Sequence, residues 1–239
     1  MAVKIFILGL PGSGKSTISH HIADYVGERH WSTTHIYDYE ILLQMYQGDT
    51  KGQFRSAGHG GFDVLHLPVF DIALKELEQN VITYLSTALL KEIVLIEFSR
   101  NNYEGAFQQF NQEFLQDSYF LYLNVEREIC KKRLRERTAA PNTSNDHYVS
   151  EYIFDTYYIG DDGIDLPRIL KRNYSIDSLK VRVINNSASQ EDSAYLNEQF
   201  EEIQRFIDYI IENETPRLQE TEPMKIYENE EVKSELEHN

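Results

Sequence analysis

The sequence has a single cysteine and few basic residues, and both shortages limit what the protein can be. A lone Cys130 excludes an internal disulfide framework and any zinc site built from several thiolates, which favours a reducing, cytoplasmic location. Lys and Arg number 23 against 39 Asp and Glu, a formal net charge of −16. Nucleic-acid binding relies on a basic surface that releases counterions, so this balance disfavours nucleic acid as a partner.

Long apolar runs are also missing. A transmembrane helix needs about 20 uninterrupted apolar residues, and the run at 3–10 is far shorter and ends at a Pro-Gly pair. This pattern predicts a buried strand and no membrane association. With 239 residues, 41% of them hydrophobic, the chain is expected to form one main domain.

Strand-like and helix-like segments alternate along residues 1–212. Short apolar runs predict strands at 4–8, 34–37, 93–96, 120–125 and 181–184. Helical spacing predicts helices at 16–26, 39–46, 69–85, 104–114, 127–137 and 193–211. Because parallel strands need crossover connections, the alternation predicts an α/β fold with a five-stranded parallel sheet between layers of helices.

Three segments fall outside this alternation. Residues 47–61 carry five glycines and no sustained periodicity, so 47–68 is expected to be a long loop that binds the acceptor. Residues 138–150 are polar with one proline and are predicted to form a small lid. Residues 213–239 contain eight acidic and three basic side chains, which predicts a flexible acidic tail after a domain that ends at 212.

The most specific pattern lies between the first predicted strand and the first predicted helix. It satisfies G-x-x-x-x-G-K-[ST] and consists of Gly9, Leu10, Pro11, Gly12, Ser13, Gly14, Lys15, Ser16 and Thr17. Glycines let backbone N–H groups surround phosphates, and the start of a helix favours anions. Lys15 would lie near the transferring phosphoryl group and Ser16 would bind Mg²⁺, so the loop predicts ATP and Mg²⁺ as ligands. The alternative is an accidental glycine turn that caps a helix.

This loop resembles that of the small P-loop kinases, a group that includes nucleoside and nucleotide kinases, shikimate kinase, chloramphenicol phosphotransferase and the zeta toxins. The order of elements extends the resemblance over residues 1–212. The resemblance implies a three-layer P-loop NTPase fold with a small lid. It also implies transfer of the ATP γ-phosphoryl group to a small-molecule acceptor.

Two carboxylates are predicted at the carboxyl ends of strands, where an open parallel sheet places its ligands. At Asp38 the resemblance implies a base that contacts the acceptor hydroxyl, and a helix N-cap is the alternative. Glu97 is predicted to hold Mg²⁺ through water, as a Walker B carboxylate does, and an ion pair with Arg100 is the alternative. Arg100 is also a candidate for acceptor binding.

Basic residues cluster at 127–137 in an otherwise acidic chain, which predicts an anionic target. Arg133 and Arg137 are four residues apart on one helical face, and the resemblance implies lid arginines that stabilise the transition state. The alternative is a solvated helix whose charges pair with neighbouring glutamates. Asn185 lies in a turn that resembles the one that contacts the adenine ring in these kinases.

Acceptor contacts are predicted within 47–68. There Arg55 could bind an acceptor phosphate, Asp63 a hydroxyl or amine, and Phe62 a ring by stacking. The leading function is an ATP-dependent phosphotransferase for a nucleoside, nucleotide or related metabolite. The second is a regulatory NTPase that signals through its bound nucleotide, although the Asn-Lys-x-Asp guanine motif is absent. The third is an enzyme that phosphorylates nucleic-acid ends, which the acidity disfavours.

Overall fold

The computed structural model describes residues 2–139, 148–160, 162–187 and 193–220. One parallel sheet contains β1 (Val3–Gly9), β2 (Ser32–Tyr37), β5 (Glu92–Phe98), β6 (Ser118–Asn124) and β7 (Val181–Asn185), and a separate hairpin contains β3 (Phe54–Ser56) and β4 (Phe62–Val64). The strand order in the sheet is β2-β5-β1-β6-β7. This order confirms the predicted α/β fold with a five-stranded parallel sheet.

Helices cover both faces of the sheet. They are α1 (Lys15–Gly27), α2 (Asp38–Gln47), α3 (Pro68–Leu85), α4 (Tyr103–Phe107), α5 (Gln112–Gln116), α6 (Arg127–Ala139), α7 (Glu151–Thr156), α8 (Leu166–Tyr174) and α9 (Ser193–Glu220). Ile22 of α1 and Phe206 of α9 belong to the core on one face, and Leu74 of α3 and Leu170 of α8 belong to the core on the other. Within the described ranges, no helix has the length and apolar character needed to cross a membrane.

The central strand β1 sets the geometry of the whole sheet. All seven of its residues are buried, as expected of a strand covered on both faces. Leu8 pairs with Phe98 of β5, and Gly9 pairs with Leu123 of β6. The carboxyl ends of these strands therefore meet at one edge, where the loop that follows β1 lies beside the residues that follow β5.

A cluster of buried aromatic rings holds β1 against one helical layer. Phe6 stacks on Phe120 with ring centroids 5.1 Å apart. Four other rings meet Phe6 in edge contacts: Phe98, Phe107, Phe110 and Phe114. Aromatic pairs of this kind contribute about 0.5–1.5 kcal/mol each beyond their buried area. The cluster thus fixes the segment between β5 and β6 onto the sheet.

The segment 104–114 forms parts of two short helices, so the prediction of one continuous helix was wrong. The Asn102 side chain accepts a hydrogen bond from Gly105 N at 2.8 Å and starts α4. The Asn111 side chain accepts one from Glu113 N at 2.8 Å and starts α5. Asn side chains compete for backbone N–H groups in this way, which favours a new helix start over a helix interior.

The segment 47–68 is also more ordered than the predicted long loop. Strands β3 and β4 pair antiparallel, with Phe54 opposite Val64 and Ser56 opposite Phe62. Each strand has three residues. Such short strands leave no readable alternation in a sequence, because the pattern needs four residues or more.

Helix α9 continues past the predicted domain end at residue 212, which therefore falls inside a helix. Glu214 is buried and accepts a hydrogen bond from the Tyr119 hydroxyl at 2.7 Å. Arg217 forms ion pairs with Glu214 at 2.9 Å and with Asp117 at 3.1 Å. These contacts join the end of α9 to the start of β6. The remainder of the predicted tail, 221–239, lies outside the described residues.

We expect a chain that ends at residue 212 to be less stable than a chain that ends at residue 220. The shorter chain leaves the buried Tyr119 hydroxyl without its acceptor, which costs about 1–3 kcal/mol in the free energy of unfolding. Urea denaturation followed by circular dichroism measures the difference, with the 239-residue chain as control. Equal unfolding midpoints for the two truncated chains would show that the end of α9 adds nothing to stability.

Candidate functional site

The loop between β1 and α1 has the backbone of a phosphate-binding loop. Gly12 has a φ of 82°, and a Cβ atom there would lie 2.6 Å from the carbonyl oxygen of Cys130. Gly14 has a φ of 96°, and a Cβ atom there would lie 2.6 Å from Asn186 Nδ2. Side chains are disfavoured at positive φ, and neither position has room for one. Both glycines are therefore required by the loop's own geometry.

Lys15 is buried at the centre of this loop. Its Nζ donates to the carbonyl oxygens of Gly9 at 3.2 Å and Leu10 at 3.1 Å, and to Ser99 Oγ at 2.7 Å. Burial lowers the pKa of Lys15, the negative charge of Glu97 opposes that shift, and the nearby positive charge of Arg137 adds to it. The Lys15 side chain thus lies inside the loop that the sequence predicts to bind phosphates.

A buried ion pair lies at the carboxyl ends of β2 and β5. Arg100 NH1 is 2.6 Å from Asp38 Oδ2, and Arg100 NH2 donates to the Phe70 carbonyl at 3.0 Å. Burial raises the pKa of Asp38, and Arg100 opposes that rise. Tyr37 is the N-cap of α2, and Asp38 is the first residue of that helix. Asp38 therefore does not act as the N-cap, which was its alternative role.

Glu97 lies between two side-chain nitrogen atoms. Its Oε1 is 3.8 Å from Lys15 Nζ, and its Oε2 is 3.0 Å from His35 Nε2. The ion pair with Arg100 that the sequence suggested as an alternative is wrong, because Arg100 bonds to Asp38. In the described part of the chain, no three His, Cys, Asp or Glu side chains gather into a metal cluster.

These groups share one cavity of about 130 Å³ between the loop and the ends of β2 and β5. The predicted site residues that line it are Pro11, Lys15, Ser16, Asp38, Glu97 and Arg100. The lining also includes side chains that the sequence analysis did not single out: His20, His35, Tyr37, Tyr39 and Tyr158. Of these five residues, only Tyr37 and Tyr39 could have been identified from the sequence, because they lie on either side of the candidate residue Asp38.

The basic residues of helix α6 contact two different parts of the structure, the surroundings of the phosphate loop and helix α7. Arg133 NH2 donates to the Asn186 carbonyl at 3.0 Å, beside the loop, and Arg137 is near enough to Lys15 to shift its pKa. On another side of the helix, Arg127 bonds to Asp155 at 2.8 Å. The two arginines predicted to act on phosphates are therefore near the loop, while other basic residues of α6 attach α7.

Asn186 contacts the phosphate loop. Its Nδ2 donates to the Ser13 carbonyl at 2.7 Å, and its side chain is buried. Asn185 is exposed at the end of β7. The sequence analysis identified the turn after β7 but did not single out Asn186, because the direction of a side chain in a turn depends on the tertiary structure. The adenine contact of Asn185 stays a prediction.

Three predicted acceptor contacts are not brought to the cavity. Arg55 and Asp63 form an ion pair of 2.6 Å across the β3–β4 hairpin, and the buried Asp63 also accepts a hydrogen bond from the Ser150 hydroxyl. Phe62 is buried and stacks on Tyr39 with ring centroids 5.5 Å apart. Of these residues, Phe62 contacts the cavity wall from behind through Tyr39. Most of the predicted lid, 140–147, lies outside the described residues.

Comparison with known proteins agrees with this geometry. A family model described as an AAA domain matches residues 5–153, and no curated protein matches the chain. Kti12 from Chaetomium thermophilum, in complex with ADP-AlF3, is 19% identical with a TM-score of 0.50, over 85% of this chain and 98% of that one. The APS kinase CysC from Mycobacterium tuberculosis, in complex with AMPPNP and APS, is 14% identical with a TM-score of 0.51, over 87% and 98%.

A third solved structure is a shikimate kinase from Acinetobacter baumannii in complex with shikimate. It is 17% identical with a TM-score of 0.42, over 89% of this chain and 95% of that one. The family match and the first two structures confirm the P-loop NTPase fold and the resemblance to the small P-loop kinases.

We expect Asn186→Ala to weaken ATP binding and Asn185→Ala to leave it unchanged. The first substitution removes the hydrogen bond to Ser13 in the phosphate loop, a loss of about 1 kcal/mol or roughly fivefold in the dissociation constant. Titration with a fluorescent ATP analogue measures both variants. Weaker binding by Asn185→Ala alone would contradict this expectation and support Asn185 as the residue that contacts ATP.

Proposed function

We propose that this chain, which belongs to the AAA domain family, transfers the γ-phosphoryl group of ATP to a hydroxyl of a small-molecule acceptor. Nucleosides, nucleotides and related metabolites are the candidate acceptors. The observation that carries the proposal is a single cavity that joins the loop lysine, Lys15, to the buried carboxylate of Asp38. Such a cavity offers the phosphoryl donor and the acceptor neighbouring positions.

Asp38 is the proposed base. Its carboxylate would orient the acceptor hydroxyl and accept its proton as the phosphoryl group transfers. The 2.6 Å bond from Arg100 holds the carboxylate in one orientation. Burial raises the pKa of Asp38, and a raised pKa makes a carboxylate a better base at neutral pH.

Lys15, Arg133 and Arg137 are proposed to stabilise the charge that spreads over the phosphates. Arg133 lies beside the loop through its 3.0 Å bond to Asn186, and Arg137 is close to Lys15. Preorganised cations of this kind stabilise the transition state because they need no rearrangement as the charge develops. The loop's backbone N–H groups would bind the remaining phosphate oxygens.

Ser16 and Glu97 are the proposed ligands of Mg²⁺. Both line the cavity, and both offer oxygen atoms. Mg²⁺ keeps several waters and takes one or two carboxylates besides the phosphates of its nucleotide, so this donor set fits the ion. When bound, the ion would neutralise phosphate charge. His35, 3.0 Å from Glu97, would orient the carboxylate.

One observation favours the alternative, a regulatory NTPase without an acceptor. The carboxylate of Asp38 already has a buried partner in Arg100, and such a pair also serves a purely structural purpose. In a regulatory NTPase the pair would join β2 to β5 and take no proton.

An assay of product formation separates the two functions. The protein is incubated with ATP, Mg²⁺ and pools of nucleosides, nucleotides and hydroxylated metabolites, and ADP and product masses are followed. We expect one pool to give a product heavier by a phosphoryl group, and we expect Lys15→Ala and Asp38→Asn to reduce its formation by at least about 100-fold. Slow ADP release at one rate in every pool, unaffected by Asp38→Asn, would favour the regulatory NTPase.

We also expect the affinity for nucleotide to fall with rising pH. The fall should begin at a lower pH than it would for a lysine with an ordinary pKa. Burial lowers the pKa of Lys15, so the ammonium loses its charge as the pH rises through this lowered value. A fluorescent ATP analogue titrated between about pH 7.5 and 10.5 measures the dissociation constant. Lys15→Arg keeps its charge in this range and should lose the pH dependence. The same decline in that variant would mean that another group is responsible.

A further inference from the structure

A segment that contains helix α7 forms part of the cavity wall. This α7 segment, residues 148–158, contributes Val149 and Tyr158 to the lining. The residues that follow β2 and β5 contribute Asp38 and Arg100. Unlike those residues, the α7 segment does not extend a strand of the sheet. Its position at the cavity therefore depends on the contacts that it makes with neighbouring elements.

Helix α6 holds the second half of the α7 segment. Arg127 donates from NH2 to the Phe154 carbonyl at 2.9 Å and from Nε to the Tyr158 carbonyl at 3.1 Å. Asp155 forms ion pairs with Arg127 at 2.8 Å and with Lys131 at 2.6 Å. These contacts account for the position of Tyr158 in the wall.

The β3–β4 hairpin holds the first half of the α7 segment through Asp63. Asp63 is 2% exposed, and its Oδ1 accepts a hydrogen bond from the Ser150 hydroxyl. Ser150 is buried too, and its Oγ accepts a bond from Ile153 N at 3.1 Å as the N-cap of α7. Because Ser150 directly follows Val149, the bond to Asp63 fixes both this wall residue and the start of the helix.

Two weaker contacts accompany this bond. Tyr148 packs on the turn of the hairpin, where a Cβ atom at Gly61 would lie 2.7 Å from its ring. Glu151 forms an ion pair of 2.7 Å with Arg135 of α6, but both side chains are more than half exposed. Exposed ion pairs contribute little, whereas a hydrogen bond to a buried carboxylate contributes more. The bond between Ser150 and Asp63 is therefore the main polar anchor at this end.

Arg55 balances the charge of Asp63. Its Nε and NH2 donate to Asp63 Oδ2 at 3.2 and 2.6 Å, which leaves Oδ1 for Ser150. The guanidinium also lies 4.7 Å from the ring of Tyr152 in α7. Asp63 is not among the described residues that line the cavity. Any effect of Asp63 on an acceptor must therefore pass through Ser150.

We propose that Asp63 is a positioning residue for phosphoryl transfer, which acts through Ser150 to hold Val149 and the start of α7 at the cavity wall. This inference rests on the proposed phosphotransferase function. It replaces the direct contact with an acceptor hydroxyl or amine that the sequence suggested for Asp63. The effect on the reaction can be large, because a displacement of about 1 Å in a site can cost about 100-fold in rate.

A matched pair of variants tests the inference. Asp63→Ala removes the oxygen that Ser150 bonds to, and Asp63→Asn keeps one. We expect Asp63→Ala to raise the KM for the acceptor found in the product assay by about tenfold or more, and Asp63→Asn to stay within about threefold of the original value. A fluorescent ATP analogue should bind both variants within about twofold of the original affinity, because α6 packs directly on the loop at Gly12.

The number of nucleotide sites separates positioning from a purely structural role. Titration with the ATP analogue gives the fraction of molecules that bind nucleotide. A purely structural role would lower this fraction in Asp63→Ala and leave the KM unchanged, which would overturn the inference while the phosphotransferase function stands. No product from any acceptor with the original chain, with ATP binding intact, would overturn the proposed function and this inference together.

Variants at Ser150 reach the same bond from the other side, and they decide the matter if Asp63→Ala does not fold. We expect Ser150→Ala to raise the acceptor KM and Ser150→Thr, which keeps the hydroxyl, to restore it. In a Ser150→Ala background, Asp63→Ala should raise the KM no further, since the bond is already absent. A full further rise there, or an unchanged KM in Ser150→Ala, would show that Asp63 does not act through Ser150.

Discussion

The buried ion pair between Asp38 and Arg100 connects the parts of the structure on which the site depends. Asp38 begins α2 after β2, Arg100 follows β5, and the second nitrogen of Arg100 bonds to Phe70 in α3 at 3.0 Å. Loss of one partner of a buried pair leaves an uncompensated charge and costs about 3–5 kcal/mol. The wall of the cavity therefore depends on the same contact that joins α2 and α3 to the sheet.

Charge is distributed very unevenly in this acidic protein. The net charge of −16 does not indicate that positive side chains lie around the phosphate loop. Lys15 and basic residues of helix α6 provide them. Arg127 and Lys131 of that helix bind Asp155 of α7, and this attachment keeps Arg133 beside the loop. At the ends of β2 and β5, by contrast, the Asp38 carboxylate is paired with Arg100 at 2.6 Å. The cavity therefore holds a loop lysine and a neutralised carboxylate close together.

The sequence predicted the features that depend on local spacing and missed those that depend on distant partners. The five strands and the phosphate loop follow from apolar runs and glycines that lie together in the chain. By contrast, Arg100 meets Asp38 across 62 positions and Asn186 meets Ser13 across 173, and no local pattern encodes either pair. The sequence suggests Arg55 as a ligand-binding residue because nothing in it reveals that Arg55 pairs with Asp63. The two residues face each other across the β3–β4 hairpin, whose strands are too short to show an alternating apolar pattern.

The position of β1 in the middle of the sheet has a consequence for synthesis on the ribosome. β1 is translated before both of its partner strands, since Val3 pairs with Ile93 and Lys4 pairs with Ser118. About 90 further residues are therefore synthesised before β1 has a strand to pair with. Pairings between residues so far apart in the sequence form slowly. A contact of the phosphate loop comes from Asn186. The loop therefore lacks this contact until residue 186 has been synthesised, and until β5 has been synthesised β1 is an unpaired apolar segment of the kind that promotes aggregation.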